Sequence, residues 1–194
     1  AKMALDKKEK PDLFLATSMT DITTFLALTR NTFKNVKVAL YFHENQWSYP
    51  LSPNDNDPKY QRDHHYGFIQ YASALSADAL FFNSSFNLEN FIEGSSKFLK
   101  SMRDFRELDT ISTIRKKSFV LPLGLDLKKF DSFQDFSKPS EHKKKSAPLI
   151  LWNHRWEHDK NPEFFFNTLF KLDKDKIDFN LALWGENRGG KVPH

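Results

Sequence analysis

Residues 38–50, VALYFHENQWSYP, decide how this chain is read. Val38, Ala39, Leu40, Tyr41 and Phe42 are apolar without alternation, which is the pattern of a strand covered on both faces. The run stops at His43, and Glu44, Asn45 and Gln46 follow at once. In an open parallel sheet, ligands bind in the crevice outside the carboxyl ends of the strands. A buried strand that delivers four consecutive polar side chains to that edge is the first candidate for chemistry. His43 can donate a hydrogen bond or act as a base, and Glu44, Asn45 and Gln46 can hold hydroxyls. The competing use of the same groups is to cap the neighbouring loop and helix. Tyr49 belongs to the loop that continues from them, and residues 47–63, with three prolines and several Asn and Asp, predict a loop long enough to be functional.

Outward from this stretch the pattern is strand, helix, strand, helix. Asp12 to Thr17 predicts a short buried strand, and Met19 to Arg30 a helix capped by Thr20 or Asp21. After the loop, His64 to Ser76 predicts a helix and Ala77 to Asn83 a third buried strand. Ser84 or Ser85 then caps a helix from Phe86 to Lys100. A further helix between Arg106 and Lys117 and a strand from Ser118 to Leu123 complete the first domain, residues 1–124. These spacings predict an α/β fold with a doubly wound, Rossmann-like parallel sheet. Residues 125–147 are polar, with a proline and a lysine run, and read as an interdomain linker. Pro148 to Asn153 opens a new strand, Asn161 to Leu172 a helix with Pro162 in its first turn, and Phe179 to Trp184 another strand. That β-α-β, within residues 148–194, is too small to bury a core alone. The expectation is a fragment of a two-domain protein, lacking the first strand of one domain and most of the other.

Composition narrows the class without fixing it. Of 194 residues, 39% are hydrophobic and 28% charged, which suits a globular core and argues against wholesale disorder. The net charge of +4 permits an anionic partner without demanding one. Twenty phenylalanines read as core filler, and the absence of cysteine excludes disulfides and thiolate metal sites. Residues 1–11 carry no signal-peptide core, and no apolar run approaches the roughly 20 residues of a membrane span, so the expectation is cytoplasmic with no membrane partner.

Four further constellations stand out. His154-Arg-Trp-Glu157-His158 matches the H-x-x-E-H zinc signature, which requires both histidines on one helical face. Here it follows an apolar strand and precedes a turn, so the spacing favours a loop, and a zinc hydrolase is the weaker reading. The same turn carries Arg155 and Lys160 where a sheet hands over to a helix amino terminus, a favourable place for an anion. A guanidinium and an ammonium there can neutralise a diphosphate without a metal; solvated surface charges are the plain alternative. Asn83-Ser84-Ser85-Phe86-Asn87 also leaves a strand end, where helix capping accounts for one serine and nothing in the sequence requires more. Lys97, Lys100, Arg103, Arg106, Arg115 to Lys117 and Lys143 to Lys145 could steer a polyanion such as RNA, and a solvated helix face explains them equally well.

LPLGLDLKKF (121–130) resembles the closing strand and Gly-x-Asp of the first domain of retaining GT-B glycosyltransferases. In that group the second domain opens with a strand, an Arg and, five residues on, a Lys, here Arg155 and Lys160. YFHENQWSYP, RDHHYGFIQYASALSADALFFNS and WNHRWEHDKNPEFFF narrow the resemblance to the tRNA-queuosine α-mannosyltransferase family, from about Asp12 to Glu186. The resemblance implies a GT-B fold and a nucleotide-sugar donor, GDP-mannose, used as substrate with no tightly bound cofactor and no metal. The transfer would retain anomeric configuration, and the acceptor would be the queuosine of a tRNA. It further implies that Arg155, Lys160, Gly185 and Glu186 face the donor. The residues themselves suggest that His43, with Glu44 and Asn45, positions the donor sugar or the acceptor hydroxyl, and that Gln46, Tyr49, Asn83 and Ser84 are acceptor-side or loop candidates. A nucleotide- or tRNA-binding module without transfer activity is the rival expectation.

Overall fold

The computed structural model describes residues 11–33, 35–50, 56, 59, 64–131 and 147–186. The chain divides into two compact units, residues 1–49 with 56–124 and residues 50–55 with 125–194. The first unit is an α/β fold on a four-stranded, all-parallel sheet in the order β1-β2-β3-β4. The strands are β1 (Leu13–Thr17), β2 (Lys37–Phe42), β3 (Ala79–Phe82) and β4 (Ser118–Val120). Helix α1 (Ile22–Thr29) joins β1 to β2, α2 (His65–Ser76) joins β2 to β3, and α3 (Ser85–Ser101) and α4 (Asp109–Lys116) join β3 to β4.

Two helices of this unit, α1 and α3, start where a side chain meets their free amides. Asp21 accepts from Thr24 N at the start of α1, and Ser84 accepts from Asn87 N at the start of α3. The predicted helix from Met19 therefore begins three residues later, after its cap. Successive strands all add on the same side, so right-handed crossovers carry the connecting helices to one face of the sheet. The alternation of side chains agrees. Val38, Leu40, Phe42, Leu80 and Phe82 are buried and cluster with Tyr71 and Ala74 of α2, Phe91 and Leu99 of α3 and Ile114 of α4. Phe42 stacks on Phe82 with centroids 4.4 Å apart, and Phe91 closes over both at 4.8 and 5.6 Å. Fully burying one such ring contributes about 1.5–3 kcal/mol, which makes this trio the anchor of the strand ends.

Strand β2 is central and covered, as its unbroken apolar run predicts. Strand β1 differs from its expected burial: among the described residues it is an edge, with Leu13 53% and Leu15 66% exposed, so apolar content alone overstates its cover. The reversal of strand order that marks a doubly wound sheet does not occur among these four strands.

The second unit pairs β5 (Leu149–Asn153) in parallel with β6 (Asn180–Trp184) through α5 (Pro162–Lys174). Its core is Trp152, Trp156, Phe166 and Leu169. Of the sequence-predicted linker, Lys128–Asp131 forms one helical turn and residues 132–146 lie outside the described residues. The lysine run at 143–145 and most of the loop at 51–63 lie outside them as well. No helix among the described residues is long and apolar enough to cross a membrane.

Candidate functional site

The loop leaving β2 is fastened residue by residue to four different elements. Asn83 Nδ2, beyond β3, donates to the His43 carbonyl at 2.7 Å. Ser18 Oγ, beyond β1, donates to the Glu44 carbonyl at 3.2 Å. Asn45 Nδ2 donates to Asn87 Oδ1 of α3 at 2.8 Å, and the Gln46 amide donates to Gln70 Oε1 of α2 at 2.8 Å. Trp47 then enters a slot between α2 and α3 whose walls are glycines. A Cβ on Gly67 would lie 2.5 Å from the indole ring, and one on Gly94 would lie 2.5 Å from Trp47 Cβ. Trp47 Nε1 donates to Ser95 Oγ at 2.9 Å and its ring packs 5.0 Å from Phe98.

This fastening sorts the four polar residues of the run. Asn45 is 4% exposed and points inward. Gln46 is half-buried, with its side chain toward Glu44 Oε1 at 3.3 Å and Met19 Sδ at 3.8 Å. His43 is exposed and Glu44 half-buried. The His43 ring leans on Tyr41, centroids 4.8 Å apart, and Tyr41 is itself fixed by its hydroxyl donating to the Leu121 carbonyl at 2.8 Å. A rigid loop thus offers an imidazole and a carboxylate from adjacent residues, a pair suited to hydrogen-bonding hydroxyls or to moving a proton. Tyr49 is half-buried at the end of this loop. Asn83 is half-buried and gives its amide to the loop, while Ser84 caps α3 and donates to Asn83 Oδ1 at 3.3 Å.

Composition and spacing did not single out Gln70, Ser18 or Trp47, and they gave Asn87 only as the end of the 83–87 string. One signal was available: Gly67 and Gly94 lie inside helical patterns, where glycine costs roughly 1 kcal/mol against alanine and marks a packing reason. That reason is the indole. Of the basic residues read as a polyanion surface, Arg115 pairs with Glu89, and Lys117 Nζ caps the carbonyls of Leu75 at 2.8 Å and Ala77 at 2.5 Å. Burial pushes the Lys117 ammonium below its ordinary range.

In the second unit, the turn after β5 carries the predicted anion-binding pair. Trp156 is buried against Trp152 and Phe166, with centroids 5.4 and 5.7 Å away, and this throws its neighbours Arg155 and Glu157 outward. Residues 158–160 form one 3-10 turn. Asn161 follows in the left-handed region, φ 51°, and its side chain accepts from Phe164 N to start α5. Both cations already have partners: Arg155 meets Glu157 at 3.2 Å and Lys160 meets Asp159 at 2.8 Å. The Lys160 ammonium, with smaller help from His158 and Arg155, holds the Asp159 carboxyl below the usual carboxylate range. Asp159 Oδ1 is buried and has no hydrogen-bond partner among the described residues.

Gly185 and Glu186 come to the same strand end. The Glu186 carbonyl accepts from Trp156 N at 3.3 Å, and a Cβ on Gly185 (φ 151°) would overlap the His154 carbonyl. The H-x-x-E-H residues lie across a strand end and a 3-10 turn, so His154 and His158 do not share a helical face. Among the described residues no group of three His, Cys, Asp or Glu side chains is placed to hold a metal ion.

The model of the tRNA-queuosine alpha-mannosyltransferase N-terminal region matches residues 1–125, more than half of the chain. The chain belongs to the tRNA-queuosine alpha-mannosyltransferase family. It is 36% identical over 150 residues to a Drosophila melanogaster protein named tRNA-queuosine alpha-mannosyltransferase. That alignment covers 76% of this chain and 38% of the fly protein, so the chain spans well under half the length of that relative. No solved structure matches it. Family membership bears on the loop after β2 directly, because the matched residues contain all of it. The turn after β5 lies beyond the matched residues.

Proposed function

We propose that this chain belongs to a retaining glycosyltransferase that moves a mannosyl group from GDP-mannose to the queuosine of a tRNA. The fold is GT-B, the setting cytoplasmic, and no metal takes part. The observation that carries this reading is the clamped loop: within the family-matched region, His43 and Glu44 are presented on a loop held through its backbone at His43, Glu44 and Gln46 and through the side chain of Asn45. Such preorganisation is what a transfer site requires, since the groups must not reorganise as charge develops. His43 faces the reacting sugar and positions it or the acceptor hydroxyl, with Glu44 beside it. Asn45 and Asn83 support the loop, and Gln46, Tyr49 and the Ser84 cap complete its wall.

On the donor side, Arg155 and Lys160 stabilise the departing diphosphate, with Gly185 and Glu186 at the neighbouring strand end. The ion pairs set the order of events. Arg155 and Glu157 form an exposed pair, worth about 0–1 kcal/mol, so Arg155 exchanges Glu157 for a diphosphate at little cost. Lys160 is held more firmly by the largely buried Asp159 and acts as a fixed charge. The α5 amino terminus adds free amides on the same side. The test is transfer from radiolabelled GDP-mannose to queuosine-containing tRNA by the intact protein. Arg155→Ala should lower the rate by roughly 10²–10³. Undiminished turnover would remove the diphosphate assignment. Retention of tRNA without label transfer, at any donor concentration, would replace the enzyme by a binding module.

A further inference from the structure

The loop after β2 is closed by a directional chain of three side-chain amides. Asn45 Nδ2 donates to Asn87 Oδ1 at 2.8 Å. Asn87 Nδ2 donates to Asn83 Oδ1 at 3.0 Å and to the Phe42 carbonyl at 3.1 Å. Asn83 Nδ2 donates in turn to the His43 carbonyl at 2.7 Å. The direction is not arbitrary. A backbone carbonyl can only accept, so the Phe42 carbonyl requires Nδ2 of Asn87, which leaves Oδ1 for Asn45. The chain starts and ends on the same loop, so the segment from Phe42 to Asn45 is gripped at both ends by one residue of α3. Asn87 is 6% exposed and Asn45 4% exposed, so the chain runs through the interior.

We propose that Asn87 is a positioning residue of the transfer reaction: acting through Asn83 and Asn45, it holds the His43–Glu44 segment in one pose without touching the sugar. This rests on the reading that His43 faces the reacting sugar. A purely structural role explains the chain less well. The start of α3 is already capped by Ser84, whose hydroxyl accepts from Asn87 N, so the Asn87 side chain is not required there. A buried polar network must be satisfied throughout or it costs more than an apolar core. This one is satisfied, and its two outlets are the loop residue that bears the imidazole and the residue two positions on.

Asn87→Asp separates the possibilities because it keeps volume and the acceptor for Asn45. It also turns a carboxylate oxygen toward the Phe42 carbonyl and Asn83 Oδ1, so both donors are lost. In the intact protein, with GDP-mannose and queuosine-containing tRNA, kcat should fall about 10- to 100-fold, as for a displacement near 1 Å. KM for both substrates should stay within about twofold, because binding surfaces are unchanged. In a His43→Ala background the same substitution should change kcat by less than about twofold, since the pose it sets no longer matters. Asp78→Ala, which removes a carboxylate bonded to Val38 N at 2.9 Å at the amino end of β2, opposite the strand end that carries the loop, should lower the unfolding midpoint and leave kcat alone. Additive losses in the Asn87 and His43 variants, or a rise in KM alone, would overturn the positioning role while leaving His43 in place. Undiminished turnover in His43→Ala would remove both. If Asn87→Asp does not fold, Asn83→Ala cuts the same bond to the His43 carbonyl at a half-buried residue, with the same expectations.

Discussion

Gly94→Ala offers a prediction whose sign, and not only its size, is decided by the structure. Gly94 lies inside α3, where alanine ordinarily stabilises a helix by roughly 0.5–1 kcal/mol. An ideal Cβ there would lie 2.5 Å from Trp47 Cβ, 2.6 Å from Cγ and 3.0 Å from Cδ1. Carbon atoms prefer about 3.5–4.0 Å, so roughly 1 Å must be found. Trp47 Cβ is one bond from the main chain, and no rotamer change moves it. The loop backbone must shift, and that backbone is bonded at His43, Glu44 and Gln46. Overpacking of this kind costs about 1–3 kcal/mol. The Trp47–Ser95 hydrogen bond, worth about 1 kcal/mol net, is strained with it. Subtracting the helical gain leaves a net destabilisation of about 1–2 kcal/mol. Urea unfolding followed by tryptophan emission reads this as a lower midpoint. Gly67→Ala provides the contrast, because its Cβ would meet ring atoms rather than Cβ. In a Trp47→Leu background Gly67→Ala should become neutral or stabilising, while Gly94→Ala should stay costly. A midpoint that rises in Gly94→Ala alone would refute the slot and with it the account of how the loop is held.

Two other outcomes are expected. Asp21 caps α1, and the hydroxyls of Thr23 and Thr24 with the Thr24 amide lower its carboxyl from 3.8 to about 2. A carboxyl lowered on folding stabilises above its unfolded value and ceases to do so as pH falls through its folded one. Asp21→Ala should therefore cost about 1 kcal/mol at neutral pH, and the gap to the unmodified protein should close between about pH 4 and pH 2, as measured by urea unfolding across that range. If Arg155 takes the donor diphosphate as proposed, Glu157→Gln should tighten GDP binding by up to about fivefold, because its pair with Arg155, worth about 0–1 kcal/mol, is already gone. Weaker GDP binding in that variant, measured calorimetrically, would mean that Glu157 belongs to the donor site itself.

Element type and order were legible because they rest on local signals. The unbroken apolar run of β2, Asp21 and Ser84 as caps, and Pro162 at the first turn of α5 each act within a few residues. The burial of β1 was not legible. An edge strand and a central one can share an apolar composition, and only the partner count separates them.

The polar run at 43–46 shows where sequence reading of the site stops. In sequence, His43, Glu44, Asn45 and Gln46 are equivalent offerings at one strand end. In the fold, Asn45 turns inward to a partner 42 positions away, and the Gln46 amide is taken by a side chain 24 positions away. Nothing within the loop encodes those partners; they arrive because α2 and α3 pack against the sheet beside β2. The consequence runs against a common inference from motifs. A dense polar string leaving a buried strand need not be wholly reactive, because a loop of free backbone amides and carbonyls must first be satisfied. Here Asn83, Ser18 and Gln70 take the loop's carbonyls and amide, Asn45 turns inward to Asn87, and the side chains of His43 and Glu44 are what remains for a ligand. His43 and Glu44 are therefore the residues on which substitutions should change turnover, whereas substitutions at Asn45 should act first on stability.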